Sequence, residues 1–295
     1  MKLAGFTDEA AKDIAGQVRA LIELGWNSME LRTVDDICVH DLDDPCFDQI
    51  KKVLDENQIS VCCLGSTIAN WGQSVHKPYT ETKEAVRRAI RCMKQLHVPF
   101  VRIMSYSIKM DEQGRALDDQ HEEKRFSRLR DICAMFLDES IVPVHENCHT
   151  YGGMSWEHTL RLVEEIPGLK LVYDTGNPAA TPDFRTAYPY EFQDPWDFYR
   201  NVKDHIAHMH IKDVEFDKEK HIETYCFPGE GDSDVMRIVT DLLRTGYDGT
   251  FSIEPHMAVV FHDPSVTADA TKRFQNFVEY GRRFQKMLVE AKNQI

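Results

Sequence analysis

The chain lacks several features that mark common protein classes. It has no apolar run near the ~18 residues of a membrane span, and acidic residues follow Phe6 before any stretch of signal-peptide length. It also has no linker rich in proline, glycine and serine that would divide its 295 residues. Basic residues are scarce, since 35 lysines and arginines face 49 acids and leave a net charge of −14. These absences predict one cytoplasmic domain spanning residues 1–295 and disfavour nucleic-acid and membrane partners.

Cysteine is present, but not in a pattern that crosslinks a small domain or binds zinc. The eight cysteines include no CxxC pair, and several lie in apolar runs. Such spacing is typical of buried free thiols in a reducing compartment.

Short, apolar, β-prone segments recur along the chain, and each except the last precedes a polar turn and a helical pattern. Several lack polar alternation, as parallel strands covered on both faces do. The eight predicted strands are Lys2–Phe6, Ser28–Arg32, Ser60–Leu64, Phe100–Met104, Val142–Glu146, Lys170–Tyr173, Ala207–Ile211 and Thr250–Glu254. This number of strand–helix units predicts an α/β fold, a single (β/α)8 TIM barrel. An open doubly wound sheet is the alternative, but the glycine-rich phosphate motif is missing after the first strand.

Amphipathic stripes separate the predicted strands. The predicted helices are Ala11–Leu24, Thr82–Leu96, Phe126–Leu137, Trp156–Ile166, a helix through Val235–Leu243, and Lys272–Ala291. Asp232 or Ser233 is the predicted cap of the fifth, and Gly246 its end. Two long connections, Gly65–Tyr79 and Gly176–Pro195, are candidates for substrate-contacting loops, although their aromatic side chains suit a simple cover for the rim equally well.

Four consecutive predicted strands end in residues that bind metals. Glu146, Asp174, His210 and Glu254 stand at or next to these ends. In a barrel, the carboxyl ends of the strands form the reactive face. Three carboxylates there would repel one another and raise each other's pKa unless a cation joined them. Their oxygens with one imidazole nitrogen favour Mn²⁺, with Mg²⁺, Co²⁺ or Zn²⁺ as alternatives.

Each of these residues also has an ordinary structural interpretation. Glu146 can be a buried acid paired with Arg102, and Asp174 a helix cap. His208 and His210 can be core histidines whose ring nitrogens bond to the backbone. We expect any one of these structural interpretations to hold far more readily than all of them together.

Five short motifs resemble the xylose isomerase-like TIM-barrel superfamily, from the first strand to the last. They are His145-Glu146-Asn147, Tyr173-Asp174-Thr175-Gly176-Asn177-Pro178, His208-Met209-His210-Ile211-Lys212-Asp213, Gly229-Glu230-Gly231-Asp232 and Ile253-Glu254-Pro255. The resemblance implies a metal held by Glu146, Asp174, His210 and Glu254, with Glu146 and Glu254 as acid and base. It implies a sugar or sugar-phosphate isomerase or epimerase. In that chemistry, a divalent cation stabilises the enediolate formed when a proton next to a carbonyl is removed.

The resemblance has departures that keep other functions open. Epimerases of free ketoses carry a histidine after the strand-six aspartate and an arginine after the strand-seven histidine, where this chain has Gly176-Asn177-Pro178 and Asp213-Val214-Glu215-Phe216. The segments 65–71, 145–154 and 253–257 resemble instead the large subunit of C-glycoside deglycosidases. These are lyases that expel an aglycone from 3-oxo-glycosides and bind a small second subunit. His145, His149 or His256 would then supply an additional acid or base. The predicted catalytic residues are accordingly Glu146, Glu254 and His145, although alternation along a strand points His145 toward the helices.

A sugar or keto-sugar is the predicted small-molecule partner, with a homo-oligomer or a small second subunit as a further possibility. The predicted substrate-binding residues are Glu30, Arg102, His149, Asn177, His208, Lys212 and His256. The abasic-site endonucleases of the superfamily are disfavoured, because they need a basic DNA face and more histidines. A non-enzymatic sugar-binding subunit is a further alternative. Such a protein would not need the complete set of metal ligands that this chain carries.

Overall fold

A computed structural model describes residues 1–217, 220, 222–260, 266 and 268–295. Its main sheet has eight strands, all parallel wherever they pair. They are β1 (Lys2–Gly5), β2 (Ser28–Leu31), β3 (Ser60–Gly65), β4 (Phe100–Ile103), β5 (Val142–Glu146), β6 (Lys170–Asp174), β7 (Ile206–Ile211) and β8 (Thr250–Ile253). Each lies within one residue of the predicted bounds at either end. The predicted α/β barrel is confirmed.

The strands follow one another around the barrel in chain order. β1 pairs with β8, and the series continues through β7 to β2. A single parallel bridge between Phe6 and Glu30 links the β1 end to β2. The barrel is therefore nearly closed, and its strands present their carboxyl ends on one face.

Nine α-helices accompany the strands in the described part of the chain. They are α1 (Ile14–Leu24), α2 (Asp44–Glu56), α3 (Tyr79–Leu96), α4 (Glu122–Leu137), α5 (Trp156–Glu165), α6 (Asn177–Ala180), α7 (Pro195–Val202), α8 (Val235–Arg244) and α9 (Ala270–Lys292). α2, α6 and α7 were not among the predicted helices. α2 has a clear start signal, since the Asp43 side chain accepts a hydrogen bond from the Cys46 amide and Pro45 stands in the first turn. None of the described helices is both long and apolar enough to span a membrane.

The predicted cap of α8 was wrong. The capping residue is Asp234, which has a left-handed backbone and makes no side-chain capping bond. Asp232 and Ser233 serve the preceding loop instead, because the Asp232 carboxylate accepts from the Phe216 amide and the Ser233 hydroxyl from the Val214 amide.

Two small antiparallel hairpins stand at the carboxyl face of the barrel. One pairs Thr33–Val34 with Ile37–Cys38 after β2. The other pairs Asp213–Asp217 with Ile222–Cys226 directly after β7. We call the second the β7 hairpin. The helical pattern expected after the seventh strand therefore begins only beyond this hairpin.

The core has two parts. The larger lies between the strands and the helices and includes Phe136, Leu162, Phe251 and Phe284. The smaller lies among the strands and includes Ala4, Val144 and Val172. Because side chains alternate along a strand, Glu146 lies on the same side as Val144, and Asp174 on the same side as Val172. The apolar cluster therefore precedes the acidic residues along these strands, on the same face.

Candidate active site

A cavity of about 440 Å³ opens at the carboxyl face of the barrel. Its wall combines charged and apolar side chains from the strand ends and loops. They include Arg32, Thr67, Asn70, Trp71, Arg102, Met104, Ile108, Met110, Glu146, Cys148, His149, Asn177, Lys212, Val214, Glu223, Tyr225, Glu254 and His256. The first long loop, Gly65–Tyr79, thus contributes Thr67, Asn70 and Trp71. The aromatic residues of the second long loop are not part of this wall, and some pack on one another, as Phe184 and Tyr190 do.

The predicted metal ligands come together next to this cavity, and two of them, Glu146 and Glu254, line its wall. Glu146, Asp174, His210 and Glu254 each offer one ligand atom, and these atoms all lie within 4.8 Å of one another. All four side chains are buried, with no more than 3% of each residue exposed. The strand register explains the convergence, since Asp174 is paired with His210 and His210 with Ser252 across neighbouring strands.

Three buried polar atoms in this cluster have no hydrogen-bond partner among the described residues. They are Glu146 Oε2, Asp174 Oδ2 and His210 Nδ1. Arg102 and Lys212 lie near the two carboxylate oxygens, but buried polar atoms that make no hydrogen bond are costly unless something else binds them. Two carboxylate oxygens and an imidazole nitrogen form a donor set that suits a divalent cation. The residues present therefore fit a metal ion.

Positively charged side chains contact the same carboxylates. Arg102 Nη1 lies 3.1 Å from Glu146 Oε2, and Arg32 Nη1 donates to Glu254 Oε1 at 2.9 Å. Lys212 Nζ lies 3.0 Å from Asp174 Oδ2 and 3.4 Å from Glu254 Oε2. The Arg102 pair is the one considered as an ordinary structural interpretation of Glu146. Glu146 therefore pairs with Arg102 and also belongs to the group of side chains that could hold a metal ion.

Asp174 likewise combines two roles. Its Oδ1 accepts hydrogen bonds from the Gly176 and Asn177 amides just before and at the start of α6, although the capping residue of that helix is Gly176. Its backbone is held by Asn147, whose side chain bonds to both the amide and the carbonyl of Asp174. One carboxylate oxygen is thus committed to the backbone, while Oδ2 faces the cluster.

The charges of the cluster shift its pKa values in opposite directions. Burial alone would raise the pKa of Glu146, but Arg102 and His210 outweigh it and lower that pKa to about 2. Burial also opposes ionisation of Glu254, yet Lys212, His256 and His210 hold its pKa well below the usual range. Asp174 behaves differently, since burial together with repulsion from Glu254 and Glu146 raises its pKa to about 6 despite Lys212. Both glutamates are therefore ionised at neutral pH.

Arg32, Asp8 and Glu9 belong to the site but were not among the predicted site residues. Arg32 Nε donates to Asp8 Oδ2 at 2.8 Å, and Arg32 Nη2 lies 3.5 Å from Glu9 Oε1. Of the three, only Arg32 carries a signal in the sequence, because it stands at the end of the second predicted strand. The acids after β1 were considered only as the polar start of the chain.

The structure brings five of the seven predicted substrate-binding residues to the cavity wall: Arg102, His149, Asn177, Lys212 and His256. Asn177 bridges the cluster and the wall, because its Nδ2 donates to Glu146 Oε1 at 3.3 Å and its Oδ1 accepts from Lys212 Nζ at 2.9 Å. His256 is braced by Glu9, with 2.9 Å between His256 Nδ1 and Glu9 Oε1.

Glu30 and His208 are not at the cavity wall. They contact each other inside the barrel, with 2.7 Å between His208 Nε2 and Glu30 Oε2, and neither is exposed. Side-chain alternation places His208 on the same side of β7 as His210, but two residues earlier along the strand. The structure therefore does not bring these two predicted substrate-binding residues to the cavity.

His145, predicted to be catalytic, is not at the cavity wall either. β5 continues through His145 to Glu146, so the two side chains point to opposite faces. His145 Nε2 lies 3.0 Å from Ser105 Oγ, and burial lowers its pKa to about 4. A Cβ atom on Gly152 would lie 2.3 Å from the His145 ring, so the absence of a side chain there makes room for it. His145 is a neutral histidine of the outer packing layer.

Comparison with known proteins assigns the fold to a family. The sequence profile described as xylose isomerase-like TIM barrel matches residues 18–277. The chain belongs to this family. No curated protein matches the chain in sequence.

Solved structures with the xylose isomerase-like fold superpose over nearly the whole chain. A family protein from Mycobacterium smegmatis in complex with magnesium has a TM-score of 0.71 at 15% identity, covering 98% of this chain and 97% of its own. A D-tagatose 3-epimerase-like protein has a TM-score of 0.73 at 17% identity, covering 100% and 99%. The probable 3-DHS dehydratase of Bacillus anthracis has a TM-score of 0.68 at 14% identity, covering 97% and 99%. At these identities, the likeness establishes the fold alone.

Proposed function

We propose that this protein is a divalent-metal-dependent isomerase or epimerase of a sugar or sugar phosphate. The observation that carries the proposal is the convergence of Glu146, Asp174, His210 and Glu254 next to a cavity that Glu146 and Glu254 line, with three buried ligand atoms that make no hydrogen bond among the described residues. The epimerase-like neighbour and the neighbour with magnesium support the same chemistry. Mn²⁺ is the proposed ion, because the set of three carboxylates and one imidazole is hard to borderline.

The residues of the chain supply the proton transfers. Glu146 and Glu254 both line the cavity, and both are ionised, so each can accept a proton from a substrate carbon. Arg102 and Arg32 fix the orientation of these two carboxylates. Lys212 and Asn177 are placed to hold substrate hydroxyl or phosphate oxygens. When bound, the divalent cation supplies Lewis-acid stabilisation of the negative charge that develops next to the carbonyl.

A lyase acting on a keto-sugar is the second candidate, and one observation favours it. Trp71, Met104, Ile108 and Met110 form an apolar part of the cavity wall, which suits a substrate with an apolar group. His256, braced by Glu9, also lies on the wall and can serve as the additional acid. Elimination differs from isomerisation only in its last step, in which a group is expelled rather than a proton returned.

The first test replaces each glutamate by glutamine, which keeps size and removes the charge. We expect Glu146→Gln and Glu254→Gln each to lower turnover at least about 100-fold, since general acid–base groups contribute that much or more. Glu215→Gln, which changes an exposed acid of the β7 hairpin, is the matched control. Near-wild-type turnover in both site variants would refute the assignment of the site.

The second test identifies the reaction. The Mn²⁺-loaded protein is incubated in D₂O with ketohexoses, ketose phosphates and 3-oxo-glycosides. Deuterium that enters next to the carbonyl without loss of a group indicates isomerisation, whereas released water or aglycone indicates elimination. Binding of less than ~0.2 equivalents of Mn²⁺, together with no reaction, would favour a sugar-binding protein instead.

A further inference from the structure

A buried carboxylate accepts hydrogen bonds from two histidines inside the barrel. Glu30 Oε2 lies 2.7 Å from His208 Nε2 and 3.1 Å from His210 Nε2, and Glu30 Oε1 lies 3.2 Å from His210 Nε2. All three residues are fully buried. Glu30 and His208 do not line the cavity, whereas His210 Nδ1 lies 3.5 Å from Glu146 Oε1, which does.

The strands explain how the triad forms. His208 and His210 are two residues apart on β7, so both rings point to the same side of the strand. Glu30 lies on β2, where the pairing with β3 shifts register between Met29 and Glu30. Such an irregularity changes the direction of the side chains that follow it. β2 therefore delivers a carboxylate to a histidine pair carried by a strand that is not its sheet neighbour.

The two nitrogens of His210 have different surroundings. Nε2 faces Glu30, an acceptor, and must therefore carry a proton to make that bond. Nδ1 has no hydrogen-bond partner in the described part of the chain and lies 3.5 Å from Glu146 Oε1. In the neutral ring, a proton on Nε2 leaves the lone pair on Nδ1, which is the atom on the side of the carboxylate cluster.

We infer that Glu30 is a positioning residue that fixes His210 with its proton on Nε2 and its Nδ1 lone pair directed at the metal site. The inference rests on the proposed metal-dependent function. His208 acts as a second donor that keeps the Glu30 carboxylate ionised and in place. In other metal sites, a carboxylate that orients a metal-binding histidine raises metal affinity about 10- to 100-fold. We expect a change of the same order here.

The test measures Mn²⁺ binding by calorimetry rather than turnover. We expect Glu30→Gln to weaken Mn²⁺ binding about 10- to 100-fold, because an amide offers one acceptor and places an N–H against a ring nitrogen. Glu30→Asp retains the charge on a shorter side chain and is expected to recover part of the affinity. Ser28→Ala is the control for a buried change on the same strand, since Ser28 Oγ has no hydrogen-bond partner among the described residues. Its affinity should equal that of the wild type.

A second readout detects the tautomer itself and needs no variant to fold. In ¹⁵N-histidine-labelled wild-type protein with Zn²⁺, a diamagnetic probe, we expect protected Nε2–H protons on His208 and His210 and a metal-bound Nδ1 on His210. Protonation of His210 on Nδ1, or coordination through Nε2, would overturn the inference.

The outcomes separate this inference from the function on which it rests. Equal Mn²⁺ affinity of Glu30→Gln and wild type overturns the positioning role and leaves the proposed function standing. Failure of the wild type to bind Mn²⁺, Mg²⁺ or Zn²⁺ overturns both.

Discussion

At Lys212, an ammonium group shares its carboxylate partners with the proposed metal ion. Its Nζ contacts Asp174 Oδ2, Glu254 Oε2 and Asn177 Oδ1. The chain makes room for this lysine, because a Cβ atom on Gly176 would lie 2.9 Å from Lys212 Cγ. Burial would lower the pKa of Lys212, but Asp174 and Glu254 raise it well above its ordinary value, so the lysine is charged. A fixed positive charge here stabilises the acidic cluster and repels a divalent cation.

Replacement of this lysine should therefore have two opposite effects. We expect Lys212→Met to bind Mn²⁺ at least about threefold more tightly at pH 8, since a like charge near the ion is removed. The metal-free variant should unfold at a lower temperature than wild type, because Asp174 and Glu254 lose a cation. Calorimetric titration and thermal unfolding measure the two effects.

The control for Lys212→Met is Lys170→Met, which removes an exposed lysine at the start of β6, away from the carboxyl face. Weaker Mn²⁺ binding by Lys212→Met than by this control would contradict the repulsion argument.

Single residues of the site differ in how far the local sequence determines their position. The identities of Glu146, Asp174, His210 and Glu254 were readable, because each stands at the end of an apolar run and their strands are neighbours. Whether His208 reaches the cavity depends on its depth along the barrel axis. The alternation of side chains along a strand predicts which face a residue points to, but not this depth. The contact between Glu30 and two histidines required knowledge of the register shift in β2 and of the cross-barrel distance, and no local pattern encodes either.

At the scale of elements, the β7 hairpin is held in place by one buried carboxylate. Asp213 Oδ2 accepts from the Gly229 amide at 2.7 Å and the Gly231 amide at 3.2 Å. Its Oδ1 accepts from the Val214 amide at 3.0 Å and the Ser233 amide at 3.2 Å. The hairpin carries Tyr225, whose ring lies 5.1 Å from that of His256 on the cavity wall. Asp213 thus links the path of the chain after β7 to the shape of the cavity.

Removal of this carboxylate should loosen the hairpin and leave the barrel folded. In Asp213→Ala, the Gly229, Gly231 and Ser233 amides lose this acceptor, at a cost of about 1–3 kcal/mol for each that stays buried and unsatisfied, whereas the Val214 amide keeps the Ser233 hydroxyl. We expect faster hydrogen exchange of the amides in 213–217 and 222–226, and a higher KM with a smaller change in kcat. Unchanged exchange in the hairpin would show that its own strand pairing suffices.

The barrel strands were predictable to within one residue because their buried, apolar composition is a local property. The hairpins were not, since their strands are only two or five residues long and their pairing depends on the loops above the barrel. α2 was missed for a different reason. Its cap at Asp43 and its Pro45 are recognisable signals, but its apolar stripe of Phe47, Ile50 and Leu54 is narrow and surrounded by charged residues.

At the scale of the whole molecule, the acidic balance takes on a structural meaning. The net charge of −14 includes buried acids at the centre of the barrel. Arg32, Arg102 and Lys212 already compensate part of that buried charge. A large apolar core surrounds the barrel independently of the site. The fold should therefore form without metal, unlike small domains whose folding depends on a bound ion.

We expect metal binding to increase the stability of the folded protein moderately rather than to convert an unfolded chain into a folded one. A ligand that binds only the native state at 100 times its Kd adds about 2.7 kcal/mol to the free energy of unfolding. For a chain of this size, that corresponds to an increase in Tm of about 5 °C or somewhat more. We expect the chelated protein to unfold cooperatively in calorimetry, and Mn²⁺ at this concentration to raise its Tm by that amount. Glu254→Gln should lose most of the gain, because it removes one ligand charge while the remaining ion pairs of Glu146 and Asp174 persist. A chelated protein with no cooperative transition would show instead that the buried acids need the ion in order to fold.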